Sequence, residues 1–292
     1  MLYLNTFKTW SIACRTYCRM GRLTLCLLVA SAAIVSAETI PNSDVHELVR
    51  RSADKIVSDW NEAPNYSFVE RDVVSKHDSQ PSVKAFEVVM LDGSPYERLI
   101  AIDDRPLSAT EQASEARKVR SELRKRERES EDSRSKRVSK YLKERHENGA
   151  LLKGMVDAFA FSLAGAETVN NHDCWVLDAA PKPGYQPTSR ETKVLAGMRG
   201  RMWVDKASGQ WVRVQAEVFQ TVNFYGFFAK VRPGTKFMLE QEPVADNLWL
   251  PKHFRTQVNA SVLGFFNEDS VEDDTYTNYR PMSQALSQLG TQ

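Results

Sequence analysis

The sequence predicts an α+β protein, mainly antiparallel β, in which one sheet is strongly bent around helical packing. Three observations lead to this prediction. Residues 44–60 have the apolar spacing of an amphipathic helix. Residues 66–104, and nearly all residues after 154, form short runs rich in β-forming side chains and separated by turn signals. Residues 106–150 between them form a long, charged helical excursion.

Composition places the chain among globular proteins. Its 292 residues can bury a sizeable core, and the 42% hydrophobic content excludes a disordered chain. The 39 Lys and Arg residues nearly balance the 38 Asp and Glu residues, which argues against a nucleic-acid binder built on a basic surface. Residues 1–37 contain four basic residues and no acidic one, so the remaining chain has 35 basic and 38 acidic residues and is mildly acidic.

Residues 1–37 are typical of a secretory signal peptide. Four positive charges precede an apolar run from Leu23 to Ala37, which ends in small residues before Glu38. The run is shorter than the roughly 20 residues that cross a bilayer comfortably. We therefore expect cleavage after Ala37 and a periplasmic protein, with a retained membrane anchor as the alternative. Residues 38–292 then form a single β-rich domain in which 106–150 is an insertion.

Cysteine usage agrees with this interpretation. Three of the four cysteines lie in the predicted signal, so Cys174 is alone in the remaining chain and cannot form an internal disulfide. It begins an apolar run, and we expect a buried, inert thiol.

The first element after the signal is the amphipathic helix. Its apolar residues recur at three- and four-residue steps, and Ser43 and Pro64 are suitable start and stop signals. One face of this helix must lie on another element, and the many strands that follow make that element a sheet.

The strands are separated by recognisable turns. Asp92–Pro95 and Asn170-Asn171 have turn composition, and the run from Arg201 to Phe219 forms a hairpin around Lys206–Gly209. The predicted strands are Tyr66–Lys76, Val83–Leu91, Tyr96–Asp103, Phe159–Glu167, Cys174–Ala179, Arg201–Asp205, Trp211–Phe219, Thr235–Glu240, Trp249–Val262 and Ser270–Tyr279.

The charged segment lacks the composition of a buried helix. Twelve of the sixteen residues from Glu122 to Arg137 are charged, seven of them basic. We expect two docked helical ends and a solvated excursion between them, stabilised by pairs such as Glu122 with Arg126. A patch for nucleic acid or anionic lipid is the alternative, but no aromatic residue interleaves with the charges.

The hairpin carries a family resemblance. The pattern Gly200-Arg201-Met202-Trp203-Val204-Asp205-Lys206, followed by a tight turn and an alternating strand, resembles the outer-membrane lipoprotein-sorting (LolA-like) superfamily. The order of elements, from signal through amphipathic helix to meander, is similar over most of the chain. This resemblance implies an open half-barrel whose concave apolar face receives acyl chains, and an exported relative of unknown ligand rather than the carrier itself.

Motifs for catalysis are absent from the sequence. The five histidines form no metal-binding pair, and there is no glycine-rich phosphate loop or nucleophile elbow. We therefore expect no enzyme, no cofactor and no metal. The acidic residues from Glu268 to Asp274 lack the spacing of a calcium loop, so we expect a solvated rim there.

Two aromatic runs are the candidate binding residues. Each has apolar side chains on both strand faces, which requires either two covering layers or one layer and a ligand. They are core strands under a helix, or they line a hydrophobic cleft; the candidate lining residues are Phe219, Phe224, Tyr225, Phe227, Phe228 and Phe265.

The cleft hypothesis predicts non-catalytic binding of a lipid or lipidated partner. The expected partners are an acyl chain or a lipoprotein, with no nucleic acid and at most transient membrane contact. Two alternatives remain: an interaction module with a self-filled core and a charged helical arm, and a hydrolase of unrecognised type.

Overall fold

A computed structural model of the chain describes residues 42–76, 79–189, 191–223, 229–262 and 266–289. The predicted signal sequence and the aromatic residues at 224–228 and 265 lie outside the described residues. Within the part of the chain that is described, no helix is long and apolar enough to cross a membrane.

One antiparallel sheet contains all thirteen strands of the described ranges. The strands are β1 (Tyr66–Lys76), β2 (Ser82–Leu91), β3 (Ser94–Ile102), β4 (Arg105–Pro106), β5 (Phe159–Val169), β6 (His172–Pro181), β7 (Met198–Asp205), β8 (Trp211–Val218), β9 (Val222–Asn223), β10 (Ala229–Val231), β11 (Lys236–Ala245), β12 (Leu248–Val262) and β13 (Phe266–Pro281). Their order is β4-β3-β2-β1-β13-β12-β11-β8-β7-β6-β5, with β10 paired to β12 and β9 paired to β10. The sheet is open, and the predicted α+β class with a curved antiparallel sheet is confirmed.

The helices are α1 (Asn42–Glu62), α2 (Ala109–Glu127), α3 (Glu131–Ala158) and α4 (Met282–Leu289). The predicted amphipathic helix is α1, and its buried stripe repeats every three or four residues at Val45, Val49, Ala53 and Ile56. This stripe packs on buried residues of β6, β7 and β8, and the Trp211 indole nitrogen donates to the Ser52 hydroxyl at 2.9 Å.

The register defines an inner face of the sheet, which is the face that α1 covers. Residues directly opposite each other in antiparallel strands share a face. One such row crosses the sheet through Leu163, Leu177, Met202, Val214, Leu239, Phe254, Asp274, Asp72 and Lys84. The row begins with apolar residues in the core under α1 and ends with charged residues on β13, β1 and β2.

The charged segment is more closely docked than the sequence predicts. It forms α2 and α3 with a break at residues 128–130, and Ser108 and Ser130 cap the two helices. The expected solvated excursion is wrong at Arg126, which is 8% exposed and donates to the main-chain oxygens of Leu91, Ser94 and Pro95. The predicted Glu122–Arg126 pair is present at 2.7 Å.

The docking of α2 has a clear physical cause. β3 is nearly an edge strand, because β4 pairs only with its last residues. An edge strand leaves main-chain donors and acceptors unpaired. The Glu115 carboxylate accepts from the Leu99 amide at 3.3 Å, and Arg126 satisfies main-chain oxygens at the β2–β3 turn. Charged side chains of α2 therefore replace a missing neighbouring strand.

Candidate binding site

A cavity of about 570 Å³ lies between α2 and the strands β2 and β3. This volume is within the usual range for small-molecule sites, roughly 300 to 1,000 Å³. Its lining combines apolar and charged side chains: Lys84, Phe86, Tyr96, Glu97, Leu99, Glu115, Lys118, Ser121 and Glu122. A site of this composition suits a guest that is itself part apolar and part charged.

Carboxylates on β1 and β13 lie beside the sheet wall of the cavity, next to Lys84 and Phe86 but not among its lining residues. Asp72 is directly opposite Lys84 on one side and Asp274 on the other. Glu70 is directly opposite Phe86 on one side and Tyr276 on the other. Like charges placed directly opposite each other destabilise a sheet, so the pairing of Asp72 with Asp274 carries a cost to the fold.

Burial raises the pKa of these carboxylates. Glu70 is 2% exposed, and loss of hydration raises its pKa to about 7. Burial is also the main cause that raises the pKa of Asp72 to about 7, and the charge of Asp274 adds to it. Burial raises the pKa of Asp274 to about 7 in the same way, with the charge of Glu70 as the next cause. Near neutral pH this group is therefore only partly ionised.

Several buried oxygens on and beside this group have no hydrogen-bond partner among the described residues. They are the Glu70 Oε2, Asp72 Oδ1, Gln241 Oε1 and Thr256 Oγ1 atoms. A buried polar group without a partner costs roughly 1–3 kcal/mol, so such groups are uncommon in folded proteins. Three of the four oxygens belong to carboxylates or an amide and accept from any donor that reaches them.

The acidic residues on the opposite, outer face of the sheet have different hydrogen-bond and ion-pair partners. Glu87 on β2 is as buried as the inner acids, yet Arg98 and Arg280 both donate to it, at 2.5 and 2.6 Å. On the same face Arg213 donates to Glu240 at 2.7 Å, and the His253 ring lies 2.9 Å from Asp273. These outer-face acids thus have basic partners at ion-pair distance, whereas among the described residues the inner group has Lys84 across the β1–β2 pair and no ion pair of that length.

The acidic residues of β13 require a correction to the predicted solvated rim. Strand alternation sends Glu272 and Asp274 to the inner face and Asp273 to the outer face. Asp274 is buried, and Asp273 forms an ion pair with Arg255 and lies within hydrogen-bond distance of the His253 ring. The description as a solvated rim is therefore wrong for these residues, because the strand extends through the acidic run.

Of the six predicted cleft residues, the structure describes Phe219 alone. Phe219 follows β8, is 39% exposed, and its ring centroid lies 5.8 Å from the guanidinium of Arg199. It is not among the residues that line the cavity beside α2. Phe224, Tyr225, Phe227, Phe228 and Phe265 lie outside the described residues.

Among the described residues, neither the lone cysteine nor a metal-binding group provides a reactive centre. Cys174 is fully buried, and burial raises the pKa of its thiol to about 11, which makes it a poor nucleophile. In those ranges, no group of three or more His, Cys, Asp and Glu side chains is arranged to hold a metal ion.

Fold and site together define an open, curved antiparallel sheet that packs on helices and keeps a cavity lined by apolar and charged residues beside α2. No protein-family model matches the sequence. A search of curated proteins likewise gives no match.

The structure is similar to several solved structures. A DUF1329 family protein from Desulfovibrio piger matches at 14% identity and a TM-score of 0.33, covering 83% of this chain and 94% of that one. An outer membrane lipoprotein-sorting protein domain from Vibrio parahaemolyticus matches at 9% identity and a TM-score of 0.33, covering 80% and 92%. A LolA superfamily protein from Nitrosomonas europaea matches at 9% identity and a TM-score of 0.26, covering 78% and 93%.

Proposed function

We propose that this protein is an exported, non-catalytic binding protein that holds an amphiphile, such as a lipid or a lipidated partner, on the inner face of its sheet. The observation that carries the proposal is the cavity between α2 and β2–β3, with apolar and charged residues side by side. Phe86 and Leu99 offer an apolar wall, and Lys84, Glu97 and Lys118 offer charges for a polar group.

The location of the cavity follows from how the inner face is filled. Under α1 and α3, the strands β5–β8 pack into a closed core around Leu177 and Met202. A guest therefore uses the other half of the inner face, on β1–β3 and β13. Each methylene that it removes from water contributes about 0.8 kcal/mol, so a short acyl segment supports micromolar binding. The aromatic segments at 219–228 and 265 remain a predicted extension of the apolar wall.

Export to the periplasm is part of the proposal. It is supported by the charged, apolar and small-residue order of residues 1–37. Removing that segment at Ala37 would release the β-rich chain from the membrane.

The interaction-module alternative keeps one observation in its favour. Half of the inner face is self-filled by α1 and α3, as that alternative requires. Its charged arm is partly used within the molecule, since Arg137 donates to the Ser94 hydroxyl at 2.7 Å and pairs with Glu129. The arm therefore has fewer charges available for a partner than its sequence suggests.

Native mass spectrometry of the protein purified from the periplasm tests the proposal. Co-purifying acyl species and micromolar binding of a fluorescent fatty amphiphile are the expected results. Phe86→Ala, inside the cavity, should weaken that binding about tenfold, while Leu142→Ala, at an exposed position of α3 outside the cavity, should leave it unchanged. A clean apo mass together with no amphiphile binding by the folded protein would overturn the proposal.

A further inference from the structure

We infer that the polar group of the bound amphiphile is a primary ammonium, received by Glu70, Asp72 and Asp274 on the inner face of the sheet. This inference rests on the proposed function, because it places the head of the amphiphile next to the cavity that takes its apolar part. It specifies the chemistry of the ligand, which the cavity alone does not.

Position is the first argument. Lys84 and Phe86 belong to the cavity wall, and the register places Asp72 and Glu70 directly beside them on the next strand. The aromatic cluster of Phe68, Phe86, Phe254 and Tyr276 lies on the same face, on β1, β2, β12 and β13, and the Phe68 and Tyr276 ring centroids are 5.8 Å apart. Aromatic faces beside carboxylates favour a cation.

Two buried carboxylate oxygens at this place require hydrogen-bond donors. The Glu70 Oε2 and Asp72 Oδ1 atoms are buried and have no donor in hydrogen-bond geometry in the described part of the chain, while the neighbouring Tyr276 hydroxyl lowers the pKa of Glu70 without offsetting the effect of burial. A primary ammonium brings three N–H donors and a positive charge, so it satisfies both oxygens and offsets the repulsion between Asp72 and Asp274. A quaternary ammonium brings the same charge without any N–H donor, and an anion repels the group.

The surrounding charges leave an excess of negative charge for the ligand. Around Asp72 and Glu70, the inner-face acids are Asp274 and Glu272 from β13 and Glu97 from β3. On α2, across the cavity, Glu115 and Glu122 face Lys118. On the sheet itself, Lys84 is the cation opposite Asp72, and its charge lowers the pKa of that carboxyl. Lys76 at the end of β1 is the second lysine on this face, and its charge lowers the pKa of Glu272. Two lysines on the sheet do not neutralise five inner-face carboxylates.

Proton release is a consequence of this arrangement. Burial raises the pKa of Glu70, Asp72 and Asp274 to about 7, so the free site holds protons near neutral pH. A bound cation favours the ionised carboxylates, so binding should release protons to solvent.

The decisive experiment compares two lysophospholipids that share one acyl chain and differ only in ethanolamine or choline head groups. We expect the full-length protein to bind the ethanolamine form about tenfold more tightly at pH 7, below the micellar concentration. Dodecylammonium and dodecyl sulfate, added separately, distinguish a free alkylamine from a lipid head group. Tighter binding of either primary amine than of its matched partner supports the inference and identifies the source.

Substitutions test which carboxylates produce the preference for the primary ammonium. Glu70→Gln and Asp72→Asn should each remove most of the preference for the primary ammonium. Asp246→Asn makes the same charge change in the exposed β11–β12 turn and should leave the preference intact. Calorimetry in two buffers of different ionisation enthalpy should show proton release on ethanolamine-lipid binding, and the Glu70→Gln protein should release fewer protons.

The two proposals fail differently. Equal affinity for the ethanolamine and choline lipids, together with dodecyl sulfate binding as tightly as dodecylammonium, overturns the ammonium site and leaves the binding function standing. Failure of the folded protein to bind any of the four amphiphiles overturns the binding function itself.

Discussion

Replacing Glu70 by glutamine should stabilise the protein at neutral and alkaline pH. An ordinary glutamate has a pKa of 4.5, and burial raises the pKa of Glu70 to about 7. A raised pKa means that the folded state holds the proton more tightly than the unfolded state. The free energy of unfolding therefore falls as pH rises from about 4.5 to about 7. At about 1.4 kcal/mol per pKa unit, the ionised Glu70 costs about 3 kcal/mol above pH 7.

Urea denaturation of the wild type and Glu70→Gln at pH 5 and pH 8 measures this cost. Glutamine keeps the size of the side chain and never ionises, so the variant should gain up to about 3 kcal/mol at pH 8 and much less at pH 5. Glu87→Gln is the matched control, because Glu87 is equally buried on the neighbouring strand but lies between Arg98 and Arg280. Its loss should destabilise by about 2 kcal/mol at both pH values.

The two substitutions should therefore change the free energy of unfolding at pH 8 in opposite directions. If Glu70→Gln is less stable than the wild type at pH 8, the carboxylate has a partner in the folded protein and the argument for an unsatisfied inner group is refuted. A wild-type free energy of unfolding that stays constant between pH 5 and pH 8 would refute it as well.

Three further changes test the fold. Arg126→Met removes the donor to the main-chain oxygens of the β2–β3 turn, so urea denaturation should show a free energy of unfolding that is lower by about 2 kcal/mol. Arg124→Met, on the exposed side of α2, is the control and should change the free energy of unfolding by less than about 0.5 kcal/mol. Gly200→Ala places a Cβ atom 2.4 Å from a carbonyl oxygen of β8 and should lower the free energy of unfolding by roughly 1–3 kcal/mol, while Gly149→Ala in α3 meets nothing closer than 4.0 Å and should raise the melting temperature slightly. Cys174 should resist iodoacetamide at pH 8 in the folded protein and react once urea unfolds it, as peptide mapping would show; labelling at equal rates in both states would contradict its burial.

Local patterns were sufficient to predict most elements of the fold. The three- and four-residue spacing of α1 depends on neighbouring residues alone, and Val45 and Val49 are buried as that spacing predicts. The turn at Asn170-Asn171 was predictable because asparagine tolerates positive φ, and both residues adopt it, at 51° and 66°. β1 begins and ends at the predicted residues, Tyr66 and Lys76.

The candidate site was not predictable in the same way. Asp72 and Asp274 are far apart in the chain and become neighbours only through the register of β1 with β13, which no local pattern determines. Arg126 is one of many charges in its segment, and its burial depends on the unpaired oxygens of a distant turn. The alternation of side chains along a strand was a sequence signal for part of this site, because it places Glu272 and Asp274 on one face of the sheet.

The two flanks of the open sheet differ in how they would meet a second molecule. On the β3 flank, Glu115 and Arg126 already occupy main-chain groups with which a foreign strand would have to pair. Strand addition from another copy is thereby directed to the β5 flank. If strand pairing between molecules is possible at one sheet edge alone, assembly stops at two molecules, because a fibre needs an accessible strand at both edges of each sheet. We therefore expect Glu115 and Arg126 to hinder the pairing of a second copy at the β3 flank.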